Sequence, residues 1–82
     1  MYLKEQIYIL EIYKQQSLSK AAQHLHISQP ALSNYLNHLE QNLGIALFVR
    51  EKRRLVPTEA GTIYIDIAAR MVRLQETFYL RL

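Results

Sequence analysis

Between Ser17 and Gly44 the chain reads SLSKAAQHLHISQPALSNYLNHLEQNLG, and the break in the middle of that stretch leaves little choice of fold. Leu18, Ala21, Ala22 and Leu25 fall at i, i+3, i+4 and i+7, the spacing of one apolar helical face. Ser17 stands just ahead of them as an N-cap, a hydroxyl able to accept an amide hydrogen bond from the first turn. The pattern stops at "HIS" and restarts with Leu32, Tyr35, Leu36, Leu39 and Leu43. Ser28 is the second N-cap, and Pro30 is tolerated behind it because first-turn amides have no helical partner to lose. Gly44 ends this helix by supplying the left-handed conformation. A short helix, a tight turn and a longer helix make a helix-turn-helix. The two small alanines allow the helices to approach closely.

The flanks complete the pattern. Upstream, LKEQIYILEIYKQ carries Leu3, Ile7 and Leu10 at helical spacing, with Ile9 and Tyr13 widening the stripe. Downstream of Gly44 the period changes. ALFVR and RRLVP are short apolar segments on either side of a charged tip, REKR, which reads as a β-hairpin. The tip lacks the Gly or Asn that two-residue hairpin turns favour. Pro57 ends the second strand and Thr58 caps a last helix. Along that helix Ala60, Tyr64, Ile67, Met71, Leu74 and Phe78 alternate steps of four and three, a heptad seam. A second stripe of Ile65, Ala68, Val72 and Tyr79 flanks it. One stripe is expected to pack on the body and the other to await a partner. The expected architecture is mainly α: a winged helix-turn-helix over residues 1–57 and a long linker and dimerisation helix over 58–82.

Composition removes several functions. The 82 residues suit one domain, and 50% hydrophobic with 21% charged residues is a globular composition. No apolar run approaches the roughly 20 residues a membrane-spanning helix needs. MYLKEQIYIL lacks the basic start, apolar core and small-residue cleavage site of a signal peptide, so a cytoplasmic location is expected. The absence of cysteine removes disulfides, thiolate zinc sites and a cysteine nucleophile. His24 and His26 are two residues apart and share no helical face, and neither they nor His38 has an evident set of co-ligands. There is no glycine-rich phosphate loop, no H-E-x-x-H and no nucleophile motif. Neither an enzyme nor a metal or cofactor site is expected.

The charge pattern is more informative than the net charge of +3. No Lys or Arg occurs between Ala21 and Val49, and then Arg50, Lys52, Arg53 and Arg54 arrive together. The longer helix, 29–43, instead presents Gln29, Ser33, Asn37 and Gln41, with Asn34 and His38 beside them. Asn and Gln can bond adenine in a bidentate way in the major groove of DNA. Contacts to phosphate position a protein but carry little sequence information. The candidates for base reading are therefore Gln29, Ser33, Asn34 and Asn37. The wing cations Arg50, Lys52, Arg53 and Arg54 are candidates for phosphate, joined by Ser28 and His38. An alternative assigns the same residues to a protein-interaction module: the polar face is then merely wet, the basic hairpin is a solvated turn, and the heptad seam is the working surface.

The stretch SLSKAAQHLHISQPALSNYLNHLEQNLGIALFVREKRRLVPTEAG resembles the N-terminal DNA-binding domain of LysR-type transcriptional regulators, over about Leu3 to Ala69. Its strongest pieces are AAQHLHISQPALS, LEQNLGIALFVR and TEAG, in order and at the right spacing. The resemblance implies that the helix opening at SQPALS enters the major groove and that the wing touches the backbone. Gln29, Pro30 and Ser33 match the family's reading positions, and Arg50 and Arg53 match its wing arginines. It also implies a bacterial-type homodimer, or a tetramer in a full-length protein, on double-stranded DNA carrying an interrupted inverted repeat. The pairing residues are then drawn from Ala60, Tyr64, Ile67, Ala68, Met71, Leu74 and Phe78. A separate inducer-binding domain, implied by the same resemblance, is outside these residues. Several positions depart from the pattern. Asn34 stands where Arg is usual, Asn37 and His38 where basic residues are frequent, and Tyr35 where a polar residue is usual. Lys52 and Gln16 occupy positions often held by Gly.

Overall fold

The computed structural model describes residues 2–82. The elements follow one another as α1 (Lys4–Gln15), α2 (Leu18–Leu25), α3 (Gln29–Leu43), β1 (Phe48–Glu51), β2 (Arg54–Pro57) and α4 (Glu59–Leu80). The caps read from the sequence form as expected. Ser17 Oγ accepts the Lys20 amide, Ser28 Oγ accepts the Ala31 amide, and Thr58 Oγ1 accepts the Gly61 amide at 3.0 Å. Gly44 closes α3 at φ 75°.

The strands pair antiparallel with Phe48 opposite Pro57 and Glu51 opposite Arg54. Only Lys52 and Arg53 lie between them, at φ 48° and 70°. Two consecutive positive φ values define the turn whose twist suits a two-residue hairpin. Here two long cations, not Gly or Asn, adopt that conformation. Gln16 and His26 likewise hold the left-handed region, at φ 56° and 59°, and each closes a helix.

The core gathers Ile9 and Ile12 of α1, Ala21 and Ala22 of α2, and Leu32, Leu36 and Leu39 of α3 around Leu47, Phe48 and Leu55 of the wing. Ala60, Tyr64 and Ile65 of α4 pack against this cluster. The winged body therefore takes in the first turns of the long helix. Two details of the expected pattern are corrected. In α1 the spacing of Leu3, Ile7 and Leu10 does not mark the deepest face: Ile7 is 44% exposed and Leu3 and Leu10 are half-buried, while Ile9, which widened that stripe, and Ile12 are fully buried. Both sides of α1 carry large apolar residues, and packing against α2 and α4 selects the Ile9–Ile12 side. In α3 the stripe stops short, because Leu43 in the last turn has run past the body and lies half exposed.

Gly61 has a particular reason to be glycine. A Cβ there would stand 1.9 Å from the Leu47 carbonyl oxygen, so the first turn of α4 rests directly on the backbone leading into the wing. The same join is hydrogen-bonded, with the Thr58 amide donating to Leu47 O at 2.9 Å and Thr58 Oγ1 donating to Ala46 O at 2.7 Å. On the other side of the wing, the Leu55 amide donates to Gln16 O at 3.0 Å, tying β2 to the turn between α1 and α2.

Candidate nucleic-acid interface

The polar ridge of α3 stands clear of the body. Gln29, Pro30, Asn34, Asn37 and His38 are exposed and Ser33 is half-buried at the edge of the core. This follows from the sequence, since Leu32, Leu36 and Leu39 take one side of the helix into the core and leave the opposite side to solvent. Ser28, at the helix start, is exposed while its hydroxyl caps the first turn. The four wing cations Arg50, Lys52, Arg53 and Arg54 are all exposed, and none forms an ion pair among the described residues.

The group joining these two surfaces was not singled out by sequence. Glu40 is the only acidic residue between Gln29 and Leu43. Its Oε2 accepts the Leu47 amide at 2.6 Å and the Phe48 amide at 3.2 Å. One carboxylate of the helix thus holds the two backbone groups from which the wing departs, with the strength of charge-assisted bonds. The signal available in the sequence was that isolation: a single charge in an otherwise neutral helix, a few residues before its glycine stop.

The far flank of α3 carries a different cluster. Tyr8 and Tyr35 meet edge to face, with centroids 5.0 Å apart. The Lys4 ammonium lies 5.5 Å from the Tyr8 centroid and 5.6 Å from that of Tyr35. Beside them the Tyr64 hydroxyl donates to Glu5 Oε1, linking α4 to α1. Burial, reinforced by that hydrogen bond and the charge of Glu5, pushes the Tyr64 phenol well above its ordinary range. Burial first, and the nearby Glu5, also push Tyr35 up. These phenols are neutral across physiological pH and act as donors and packing groups.

The expected pairing residues of α4 divide in two. Ala60 and Tyr64 pack on the body and Ala68 is 1% exposed, so all three are engaged within the chain. Ile67, Met71, Leu74 and Phe78 remain exposed, and Ile63, which the heptad reading passed over, continues their line toward the body. The exposed outer stripe is therefore Ile63, Ile67, Met71, Leu74 and Phe78. The step from Ile63 to Ile67 keeps the spacing of four. His24 faces Glu11 across α1 and α2 at 3.8 Å, and no group of three metal-ligating side chains occurs among the described residues. No helix among them is long and apolar enough to cross a membrane.

The same arrangement occurs in known proteins. Residues 3–62 match the sequence profile described as bacterial regulatory helix-turn-helix protein, lysR family. The chain is 40% identical over 76 residues to the uncharacterized HTH-type transcriptional regulator YcgK of Bacillus subtilis, covering 93% of this chain and 24% of that protein. It is 36% identical over 69 residues to the HTH-type transcriptional regulator ClcR of Pseudomonas putida, covering 84% of this chain and 24% of that one. The chain thus spans about a quarter of the length of these relatives. Among solved structures it superposes on the BenM_DBD/benA site 1 DNA complex with a TM-score of 0.90 at 31% identity, covering 99% of this chain and 91% of that one.

Proposed function

The chain belongs to the lysR family of bacterial regulatory helix-turn-helix proteins, and from that premise we propose that it is the DNA-reading end of a transcriptional regulator. It is a family of regulators, not of enzymes. In this reading α3 lies in the major groove, where Gln29, Pro30, Ser33, Asn34 and Asn37 meet base edges. Arg50, Lys52, Arg53 and Arg54 of the wing, with Ser28 and His38, hold phosphates on either side. Residues 1–57 supply the reader, whose core also takes in the first turns of α4, and the later turns within 58–82 form the arm that joins two copies through the outer stripe of α4. Two readers so joined meet two half-sites, so the preferred target is an interrupted inverted repeat. The regulator acts in the cytoplasm, where the chromosome of a bacterium lies.

The observation that carries this reading is the physical separation of two chemistries on one rigid body. An exposed amide and hydroxyl ridge without cations stands beside a hairpin of four exposed cations, and Glu40 holds one to the other. A wet helix face by itself needs no such neighbour. A solved structure that superposes over nearly the whole chain is described as a complex with DNA, which supports the same use of this fold.

A second reading keeps the fold and drops the DNA: a module that pairs with proteins through α4. The exposed stripe from Ile63 to Phe78 favours it. Selection of bound duplexes from a random DNA library separates the two. The DNA reading expects enriched sequences that share two inverted half-sites and binding that weakens steeply with salt. Self-association indifferent to salt, with no enrichment over the starting library, would leave only the second reading.

A further inference from the structure

At about 100° per residue along α3, Glu40 lies on one flank of the ridge formed by Asn34, Asn37 and Gln41, and His38 and Tyr35 lie on the other. The wing is attached on the Glu40 side through the Leu47 and Phe48 amides. The four wing cations follow that attachment in sequence, at residues 50–54. The opposite flank also carries a cation. Lys4, the first residue of α1, holds its ammonium over the rings of both Tyr8 and Tyr35.

We infer that Lys4 is a DNA phosphate contact, gripping the backbone on the flank of α3 opposite the wing. This rests on the DNA reading above and adds a residue to it. The major groove is bounded by two phosphate backbones, and a helix seated in it meets one on each side. A wing on one side leaves the other backbone to groups on the Tyr35 and His38 flank.

The chemistry suits that task. Lys4 is exposed and forms no ion pair among the described residues, so its charge is not neutralised by a carboxylate. The two ring faces attract the ammonium electrostatically yet take none of the three hydrogen-bond donors in the way a carboxylate would. They also restrain a side chain that would otherwise lose much rotamer freedom on binding phosphate. Glu5, which lines the cleft on this flank, has its Oε1 engaged by the Tyr64 hydroxyl. Glu5, Tyr35, His38 and Asn42 line a shallow cleft beside α3, and His38 adds a second donor there.

The test is a salt titration of duplex binding by the 82-residue chain, followed by fluorescence anisotropy with both a selected site and a random duplex. Lys4→Ala is expected to weaken binding to both duplexes by a similar factor and to lower the salt slope by about one unit for each phosphate no longer neutralised. Lys4→Arg should retain the slope, and Lys14→Ala, at the other end of α1, should leave it unchanged. Tyr35→Leu, which keeps the charge and removes a bracing ring, should weaken binding with little change of slope. Circular dichroism confirms that each variant is folded. If Lys4→Ala keeps the wild-type slope while Arg53→Ala lowers it, Lys4 does not touch phosphate, and the DNA reading stands without it. If the unmutated chain shows no salt-dependent binding to any duplex, the DNA reading itself fails and this assignment with it.

Discussion

Glu40 Oε2 accepts the Leu47 amide at 2.6 Å, and that bond joins α3 to the chain entering the wing. The same oxygen takes the Phe48 amide at 3.2 Å. Leu47 and Phe48 are both buried, so the carboxylate satisfies donors that water does not readily reach. Glu40→Ala is expected to destabilise the fold by about 1–3 kcal/mol, the cost of leaving buried donors unmet. For a domain of this size each kcal/mol lowers the melting temperature by roughly 4–8 °C. Glu40→Gln keeps an acceptor but not the charge, and should lose less. Thermal unfolding followed by circular dichroism ranks the three proteins, and equal melting temperatures would remove Glu40 as the joint.

Gly61 tests the seat of the long helix. A methyl group at that position meets the Leu47 carbonyl, which is backbone and cannot rotate away. Gly61→Ala should therefore destabilise by about 3 kcal/mol or more despite the helix preference of alanine, because overpacking here displaces main chain. Chemical denaturation measures it. A variant as stable as the original would mean that α4 can shift at its first turn at no cost.

Left-handed backbone at residues other than glycine gives a pair of matched substitutions. Gln16 at φ 56° and Lys52 at φ 48° each hold a conformation that costs an L-residue about 1–2 kcal/mol. Glycine removes that strain but gains freedom in the unfolded chain, worth about 0.4–1 kcal/mol in the opposite direction. The net expectation is a modest stabilisation, near 0.5–1 kcal/mol, for both Gln16→Gly and Lys52→Gly, read by chemical denaturation. They should differ in binding. Lys52→Gly removes a wing cation and with it part of the salt-dependent affinity for any duplex, whereas Gln16→Gly keeps all of it.

Neighbouring residues of α4 should behave in opposite ways. Ile67 is 52% exposed and Ala68 is 1% exposed. Ile67→Asp should leave a folded chain that sediments as a monomer and binds a two-half-site duplex weakly. Ala68→Asp should unfold the body, because it buries a charge with no partner. Analytical ultracentrifugation together with circular dichroism reads both. If the unmutated chain is already a monomer in a sample of high protein concentration, pairing through this stripe is excluded for these residues.

The ridge and the wing should leave different signatures. Arg53→Ala takes one cation off the phosphate backbone and should weaken binding to every sequence alike, flattening the salt dependence by about one unit. Gln29→Ala or Ser33→Ala removes a neutral group near the start of α3. Specific affinity should fall by about 1–3 kcal/mol for a bidentate contact, with the random-duplex affinity and the salt slope nearly unchanged. Relaxed specificity in Arg53→Ala alongside unaltered Gln29→Ala and Ser33→Ala would reverse the roles assigned to helix and hairpin.

Local chemistry in the sequence determined the order of elements and nearly all of their ends. Ser17, Ser28 and Thr58 cap their helices and Gly44 stops α3, because each of these acts on backbone groups within a few residues of itself. The separation of amides on α3 from cations on the hairpin is likewise a property of the linear chain. Only the tertiary structure decided which side of an element is used. Leu3, Ile7 and Leu10 are periodic, yet Ile9 and Ile12 are buried, because α1 is apolar on both sides and its neighbours select one. The seam of α4 is one stripe in sequence and two surfaces in space, since its first turns lie on the body and the later ones extend past it. Glu40, Gly61 and Lys4 acquire their meaning from partners seven or more residues away or in another element: the Leu47 amide, the Leu47 carbonyl and the ring of Tyr35. Periodicity records the direction of a side chain around its own helix, but whether that direction meets core, water or another element is fixed only when the elements pack.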